Sequence, residues 1–399
     1  MTRIPMSSPD LTAAERDAVL EVLGSNNLSL GPRLVDFEKR FAGYVGTRHA
    51  IAVSSGTAAL HLSLIACGIG EGDLVMTSPF SFVASANCAL YERAVPLFVD
   101  VEPATGNIDP ILVGTATDDL LRGGSSARRW IPPSLRESSA AFLLKAVLPV
   151  HAFGQPADMT SICETARHAK IRVIEDACEA LGADHRGRRG GTFGDLSCFA
   201  FYPNKQMTTG EGGMIVTDSE LFASLCSSLR NQGRDVFDAW LSHTRLGYNY
   251  RLNELSCALG LVQLTRIDDM IARRARVASW YTERLQGMEG VQAPAVTAAT
   301  SRMSWFVYVV RLESAPERTR TMAALAERGV PSRPYFTPIH LQPFYVEKFG
   351  YRRGDFPVAE ALGDTSLALP FSSVMTEAQV DHVCQALGSV LNAHSVRHG

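Results

Sequence analysis

The segment SCFAFYPNKQMTTGEGGMIVTD, Ser197 to Asp218, decides how the rest of this chain is read. Its apolar start continues a strand that runs Leu196–Tyr202, and its end is a second strand, Met214–Thr217. Between them lie a polar loop holding Lys205 and a turn rich in glycine (Gly210, Gly212, Gly213). Lysine is almost never fully buried without a partner or a task. A lysine between two buried strands is therefore either a solvated loop tip or an amine whose surroundings make it nucleophilic. The segment alone leaves both readings open.

Working outward, short apolar runs recur at Ala50–Val53, Leu74–Thr77, Pro96–Val99, Ala146–His151 and Arg172–Glu175. Helical patterns such as Ala58–Cys67, Ala84–Tyr91 and Met159–His168 lie between several of them. Continuous apolar strands alternating with helices predict an α/β fold whose mostly parallel sheet is covered on both faces. Ahead of the first strand, Thr12-Ala-Ala-Glu15 reads as a capping box opening one helix. Leu34, Phe37, Phe41 and Tyr44 mark the apolar face of a second, Arg33–Val45. Beyond Asn253 one long helical pattern, Asn253–Leu285, passes from apolar to charged. A strand at Phe306–Leu312 and helices at Arg318–Arg328 and Thr376–Leu391 follow. The expected division is a large domain over residues 1–262 and a small C-terminal α+β domain over residues 263–399. Gly114 to Ala140, rich in Gly, Ser, Arg and Pro, is expected to be an inserted surface loop or flap. Within it, Arg128, Arg129 and Trp130 are either a phosphate-and-base contact or part of a solvated insertion.

The composition narrows the function classes. With 38 Lys and Arg against 41 Asp and Glu, the net charge of −3 provides no basic surface for nucleic acid and no polybasic membrane anchor. The eight cysteines include no CxxC pair and no metal-ligand spacing, so they read as small buried residues of a reducing compartment. The N-terminus has no apolar signal core, and no apolar run is long enough to span a membrane. A cytoplasmic location is the expectation.

Three features carry chemistry. Ser54-Ser55-Gly56-Thr57-Ala58 ends a strand and opens a helix, where free N–H groups, the helix dipole and two hydroxyls converge as a phosphate cup would require. The same residues would also serve as a plain helix cap. Neither a Walker pattern nor a GxGxxG fingerprint is present. In Val173-Ile174-Glu175-Asp176, two acids end an apolar strand at the sheet edge where open α/β folds bind ligands. Asp176 is equally suited to capping the helix that follows. Lys205 is the third. A cup for a phosphate, a carboxylate for a pyridine nitrogen and an amine for an aldehyde are the three groups that pyridoxal 5′-phosphate needs.

Several stretches, in order, resemble the sugar aminotransferases of the DegT/DnrJ/EryC1/StrS family nearly end to end. They are LGPRLVDFEKRFA (Leu30–Ala42), VSSGTAALHL (Val53–Leu62), SPFSFVASAN (Ser78–Asn87), PVHAFGQPADM (Pro149–Met159), IEDACEALGA (Ile174–Ala183), FYPNKQMTTGEGG (Phe201–Gly213), LGYNYRLNEL (Leu246–Leu255) and RPYFTPIHLQPFY (Arg333–Tyr345). The FYPNKQ-TTGEGG signature matches the subset labelled perosamine-synthase-like.

The resemblance implies a fold type I aminotransferase and assigns roles. Lys205 would form the Schiff base with the cofactor, and Asp176 would hold the pyridinium proton. Gly56, Thr57 and Ala58 would cup the phosphate. Phe82 would stack on the cofactor ring, although read on its own, inside FSFVA, it is a core phenylalanine. Asn249 would reach the phosphate of a neighbouring subunit, which implies a homodimer with shared active sites. Tyr335 and His340 would lie at the substrate. Glu179 stands where many relatives have a Gln contacting the cofactor's phenolic oxygen, and Ala200 where some have a phosphate-contacting Ser. The Gly114–Ala140 insertion has no counterpart in the usual pattern. The implied reaction moves an amino group from L-glutamate to a keto sugar linked to a nucleotide, for a polysaccharide or a secondary metabolite. Lys205, where related dehydratases carry His, argues for transfer over deoxygenation. A keto-cyclitol substrate and a non-catalytic regulator are the alternatives, and Met1–Pro9 leaves no room for the DNA-binding domain that the regulator would need.

Overall fold

A computed structural model describes residues 4–138, 142–235 and 242–395. Its main sheet has seven strands in the order His49–Val53, Gly213–Thr217, Leu196–Ala200, Arg172–Asp176, Leu143–Leu148, Asp73–Thr77, Val95–Phe98. Only Gly213–Thr217 runs antiparallel to its neighbours, His49–Val53 and Leu196–Ala200; the other pairings are parallel. The side-chain period of two sends alternate residues into separate cores. Ile51, Val53 and Ile215 pack with Leu60, Leu62 and Leu64 of the helix Gly56–Ala66. Ala50, Ala52, Met214 and Val216 pack with Phe37 and Phe41 of the helix Pro32–Val45. Each fully buried Leu or Phe contributes about 1.5–3 kcal/mol, so both faces must be covered, as the unbroken apolar strands require.

A second sheet is antiparallel throughout and has the order Val291–Gln292, Tyr308–Leu312, Ser366–Leu369, Arg333–Pro334. Its core includes Tyr308, Leu367 and Val380, and also Ile4 from the start of the chain. The Phe371 N–H donates to the Met6 carbonyl, so the N-terminal segment lies against this second sheet and not against the first.

The predicted capping box forms. The Thr12 hydroxyl accepts from the Ala14 N–H, and Glu15 Oε2 accepts from the Thr12 N–H at 2.7 Å. The helix Pro32–Val45 has no side-chain cap from its own Gly31. Instead the buried carboxylate of Glu254, some 220 residues away, accepts from the N–H groups of Gly31, Arg33 and Leu34.

Two expectations are corrected. The Asn253–Leu285 pattern is two helices, Glu254–Thr265 and Ile267–Leu285. Arg266, between them, is turned toward Asp10 and Glu15, with which it forms ion pairs. The Gly114–Ala140 segment is not a loop over its described residues; Ser139 and Ala140 lie outside them. It continues the helix Pro110–Arg122, which Asp109 caps, and then forms a short helix Gly124–Arg128 and a 3-10 turn Pro133–Leu135. Asp119 gathers Arg122, Arg129 and Trp130 Nε1, so Arg129 and Trp130 are engaged inside the insertion. Ile131 is buried in a core shared with Tyr345, Phe349 and Tyr351.

Candidate active site

A cavity of about 410 Å³ opens at the carboxyl ends of the strands His49–Val53, Arg172–Asp176 and Leu196–Ala200. The helix Gly56–Ala66 begins at its wall. Ser55 is the cap, and its hydroxyl accepts the Ala58 N–H at 3.1 Å. Gly56 and Thr57 line the cavity, and their N–H groups lie in the first turn, where no carbonyl four residues back exists to accept them. Ala58 does not line it: its N–H is already spent on Ser55. Close approach explains two glycines here. A Cβ on Gly56 would stand 2.7 Å from Ala200 Cβ and 2.9 Å from Cys178 Sγ, and one on Gly213 would stand 2.4 Å from the Ser55 carbonyl oxygen. The Gly-rich turn thus lets the strand Gly213–Thr217 pass directly behind the start of the helix.

Glu175 and Asp176 are neighbours on one strand and point to opposite sides. Asp176 lines the cavity, accepting from Ser85 Oγ at 2.7 Å and from the Cys178 N–H at 3.2 Å. Glu175 is fully buried away from it. Lys205 also lines the cavity with a side chain 13% exposed; its Nζ lies 3.7 Å from Glu179 Oε1 and 3.9 Å from the centre of the Phe306 ring. Glu179 Oε2 accepts the Phe153 N–H at 2.9 Å. Burial pushes the Glu179 carboxyl above the ordinary carboxylate range, against the opposing pull of Lys205 and the Phe153 N–H. Tyr335 lines the same cavity, and its phenol is pushed up by burial and then by the charge of Glu179.

Phe82 corrects the reading that its local sequence favoured. It is 63% exposed and borders the cavity, leaving a large ring presented to whatever enters. His340 is not in the cavity. It is wholly buried, and its Nε2 lies 3.0 Å from Glu360 Oε1. Asn249 is exposed and borders no part of the cavity within this chain; it bridges to Asn231. Sequence reasoning missed Ser85, Phe306 and Phe336. Ser85 follows Phe82 by three residues, one helical turn, which could have flagged it. Nothing local marks Phe306, which arrives from a segment about a hundred residues beyond Lys205.

GDP-perosamine synthase of Caulobacter vibrioides is 39% identical over 394 residues, covering 98% of this chain and 99% of that one. The spore coat polysaccharide biosynthesis protein SpsC of Bacillus subtilis is 35% identical, with 97% of each chain covered. Among solved structures, S. venezuelae DesV in complex with a ketimine intermediate superposes with a TM-score of 0.85, at 32% identity and with 98% of each chain covered. The profile of one family, described as the DegT/DnrJ/EryC1/StrS aminotransferase family, matches residues 9–388. With the match spanning nearly the whole chain, and with amine, carboxylate and helix start facing one cavity, this protein belongs to the DegT/DnrJ/EryC1/StrS aminotransferase family.

Proposed function

We propose that this aminotransferase binds pyridoxal 5′-phosphate in the cavity and moves an amino group from L-glutamate to a keto sugar carried on a nucleoside diphosphate. The product is an amino sugar for polysaccharide or secondary-metabolite biosynthesis. The observation that carries the reading is that Lys205, Asp176, the start of the helix Gly56–Ala66 and the exposed ring of Phe82 all face one cavity.

The donor set fits the cofactor. The N–H groups of Gly56 and Thr57, with the hydroxyls of Ser55 and Thr57, would hold its phosphate at the positive end of the helix. Phe82 would lie against the ring. Asp176 would hold a proton at the pyridine nitrogen, its carboxylate already aimed by Ser85 and the Cys178 N–H. The bound cofactor supplies an electron sink for the electrons left on a substrate carbon when its proton departs. The chain's own residues do the rest. The Lys205 amine would carry the proton away from the amino donor's Cα. In the second half-reaction it returns a proton to the carbon that receives the amino group. Glu179 would meet the phenolic oxygen, and the burial that raises its carboxyl above the ordinary range lessens the repulsion between the two groups. Asn249, exposed and not among the residues lining its own cavity, would complete the phosphate site of a second copy, making the working unit a homodimer.

Purified protein incubated with pyridoxal phosphate should acquire visible absorbance that borohydride abolishes, and Lys205→Ala should never acquire it. A wild type that stays colourless would overturn the reading. Glutamate-dependent amination compared across GDP-linked and dTDP-linked keto sugars and keto-inositols identifies the acceptor. Turnover of the inositols alone would replace the sugar with a cyclitol. Cofactor affinity that does not change with subunit association would remove the shared site.

A further inference from the structure

The helix Ile267–Leu285 spans the two cores of the molecule. Met270 and Ile271 pack beneath the seven-stranded sheet, whereas Val277, Ala278 and Tyr281 pack with the four-stranded one. Between these two sets lies Arg274, 2% exposed. Among the described residues no carboxylate pairs with it, and burial alone pulls its pKa down to about 10. An ionised guanidinium is costly to bury without a counter-ion.

Its two terminal nitrogens donate to four peptide carbonyls from two segments, while the buried Nε has no partner among the described residues. Nη2 donates to the carbonyls of Lys205 (2.7 Å) and Asn204 (3.3 Å). Nη1 donates to those of Phe306 (3.1 Å) and Trp305 (3.2 Å). The second segment carries the ring that lies against the Lys205 amine. It also holds Trp305 at φ 51, a left-handed conformation unfavourable for so bulky a residue, which needs surrounding contacts to persist. A planar fork that reaches two carbonyl pairs at once is a property of arginine and not of lysine.

We infer that Arg274 is a positioning residue: it locks the Lys205 backbone to the Trp305–Phe306 segment, so that the amine is held over the Phe306 ring and aimed into the cavity. The inference rests on Lys205 being the reacting amine.

The test compares Arg274→Lys, Arg274→Met, Phe306→Leu and the Arg274→Lys/Phe306→Leu double variant with the wild type. Two readouts are taken: steady-state kinetics with L-glutamate, and hydrogen–deuterium exchange of the cofactor-free proteins. Misplacing a reacting group by about 1 Å costs on the order of 100-fold. Arg274→Lys should therefore lower kcat by about 10–100-fold while leaving the glutamate KM unchanged. The losses from Arg274→Lys and Phe306→Leu should not add, because both act through the same contact. Exchange should rise in residues 202–208 and 304–308 and stay unchanged in the helix Ala84–Tyr91. Wild-type turnover in Arg274→Lys, additive losses, or exchange rising equally everywhere would overturn the inference and leave Arg274 as general packing. Should Arg274→Met fail to fold, Arg274→Lys decides, since it keeps the cation and most of the volume. A wild type that never takes up the cofactor would refute Lys205's proposed role and remove the kinetic arm. Unchanged exchange in residues 202–208 in the cofactor-free variants would refute the clamp itself, so the two failures are told apart.

Discussion

Replacing Glu175 by Gln removes one formal charge and almost no volume, yet it should destabilise the protein severely. Glu175 is fully buried, and its two oxygens accept five hydrogen bonds. Oε1 takes the Phe193 N–H (2.7 Å), the Gly194 N–H (2.7 Å) and Ser197 Oγ (2.8 Å). Oε2 takes the Gly191 N–H (2.8 Å) and His151 Nε2 (3.0 Å). His151 Nδ1 accepts the Ala157 N–H, which places the ring proton on Nε2, facing Glu175. Glutamine can keep one oxygen for the first three donors, but its NH₂ then confronts both the Gly191 N–H and the His151 N–H. Moving the histidine proton to Nδ1 only transfers the conflict to Ala157. Two buried donors lose their acceptor at about 1–3 kcal/mol each, about 2–6 kcal/mol in total. Urea unfolding followed by far-UV circular dichroism measures the loss without any cofactor. A loss below about 0.5 kcal/mol, within the range of an ordinary surface substitution, would refute the accounting. The same carboxyl sets a pH dependence. Burial pushes its pKa up, but the contact with His151 and the N–H groups of Gly194 and Gly191 outweigh this and hold it below the ordinary range. A depressed folded-state pKa contributes stability that is fully present above the unfolded value of about 4.3 and is lost as pH falls through the folded value. Glu175→Gln should lack this component, so its stability should fall less steeply than the wild type's on the acid side.

Three further outcomes are expected. Ser85→Ala removes the 2.7 Å bond to Asp176 Oδ2, a charge-assisted hydrogen bond of about 1.5–3 kcal/mol. Turnover and cofactor affinity should fall; unchanged affinity would mean that the Cys178 N–H suffices to aim Asp176. Gly56→Ala drives a methyl against Ala200 Cβ and Cys178 Sγ, at a cost of about 1–3 kcal/mol. The dissociation constant of pyridoxal phosphate, titrated by absorbance, should rise, and an unchanged constant would show that the helix start can shift freely. His340→Asn breaks the buried contact with Glu360 and should lower stability with KM unchanged for both substrates. A raised KM for the acceptor would place His340 back at the substrate.

What could be read from residues alone depended on short-range rules. Strand positions, the capping box at Thr12–Glu15, the helix opening at Gly56 and the placement of Lys205 between two strands depend on neighbours within a few positions. Alternation on a strand likewise implies that Glu175 and Asp176 face opposite ways. Which of the two meets the cavity depends on which face receives the helix Gly56–Ala66 and which the loop Gly191–Gly194. Those elements come from distant parts of the chain. The errors have the same origin. The helix Pro110–Arg122 was hidden because its buried stripe, Val113, Ala116, Thr117 and Asp119, holds one large apolar residue, too weak a period to stand out among Gly and Ser. The long helical pattern breaks at Arg266, where the backbone leaves the helix at φ −109, ψ 0 and the side chain pairs with Asp10 and Glu15, about 250 residues earlier. His340, which the resemblance implied to lie at the substrate, is buried against Glu360, whereas Phe82, a core residue by its local sequence alone, is exposed at the cavity. Hydrophobicity states how much surface a residue gains by hiding, but only the packing of remote segments decides whether a partner is there to hide it. The sequence by itself therefore determined the alternating elements and the residues able to do chemistry. The tertiary structure decided which of them share a cavity, and how Arg274, Phe306 and Ser85 aim the lysine and the carboxylate within it.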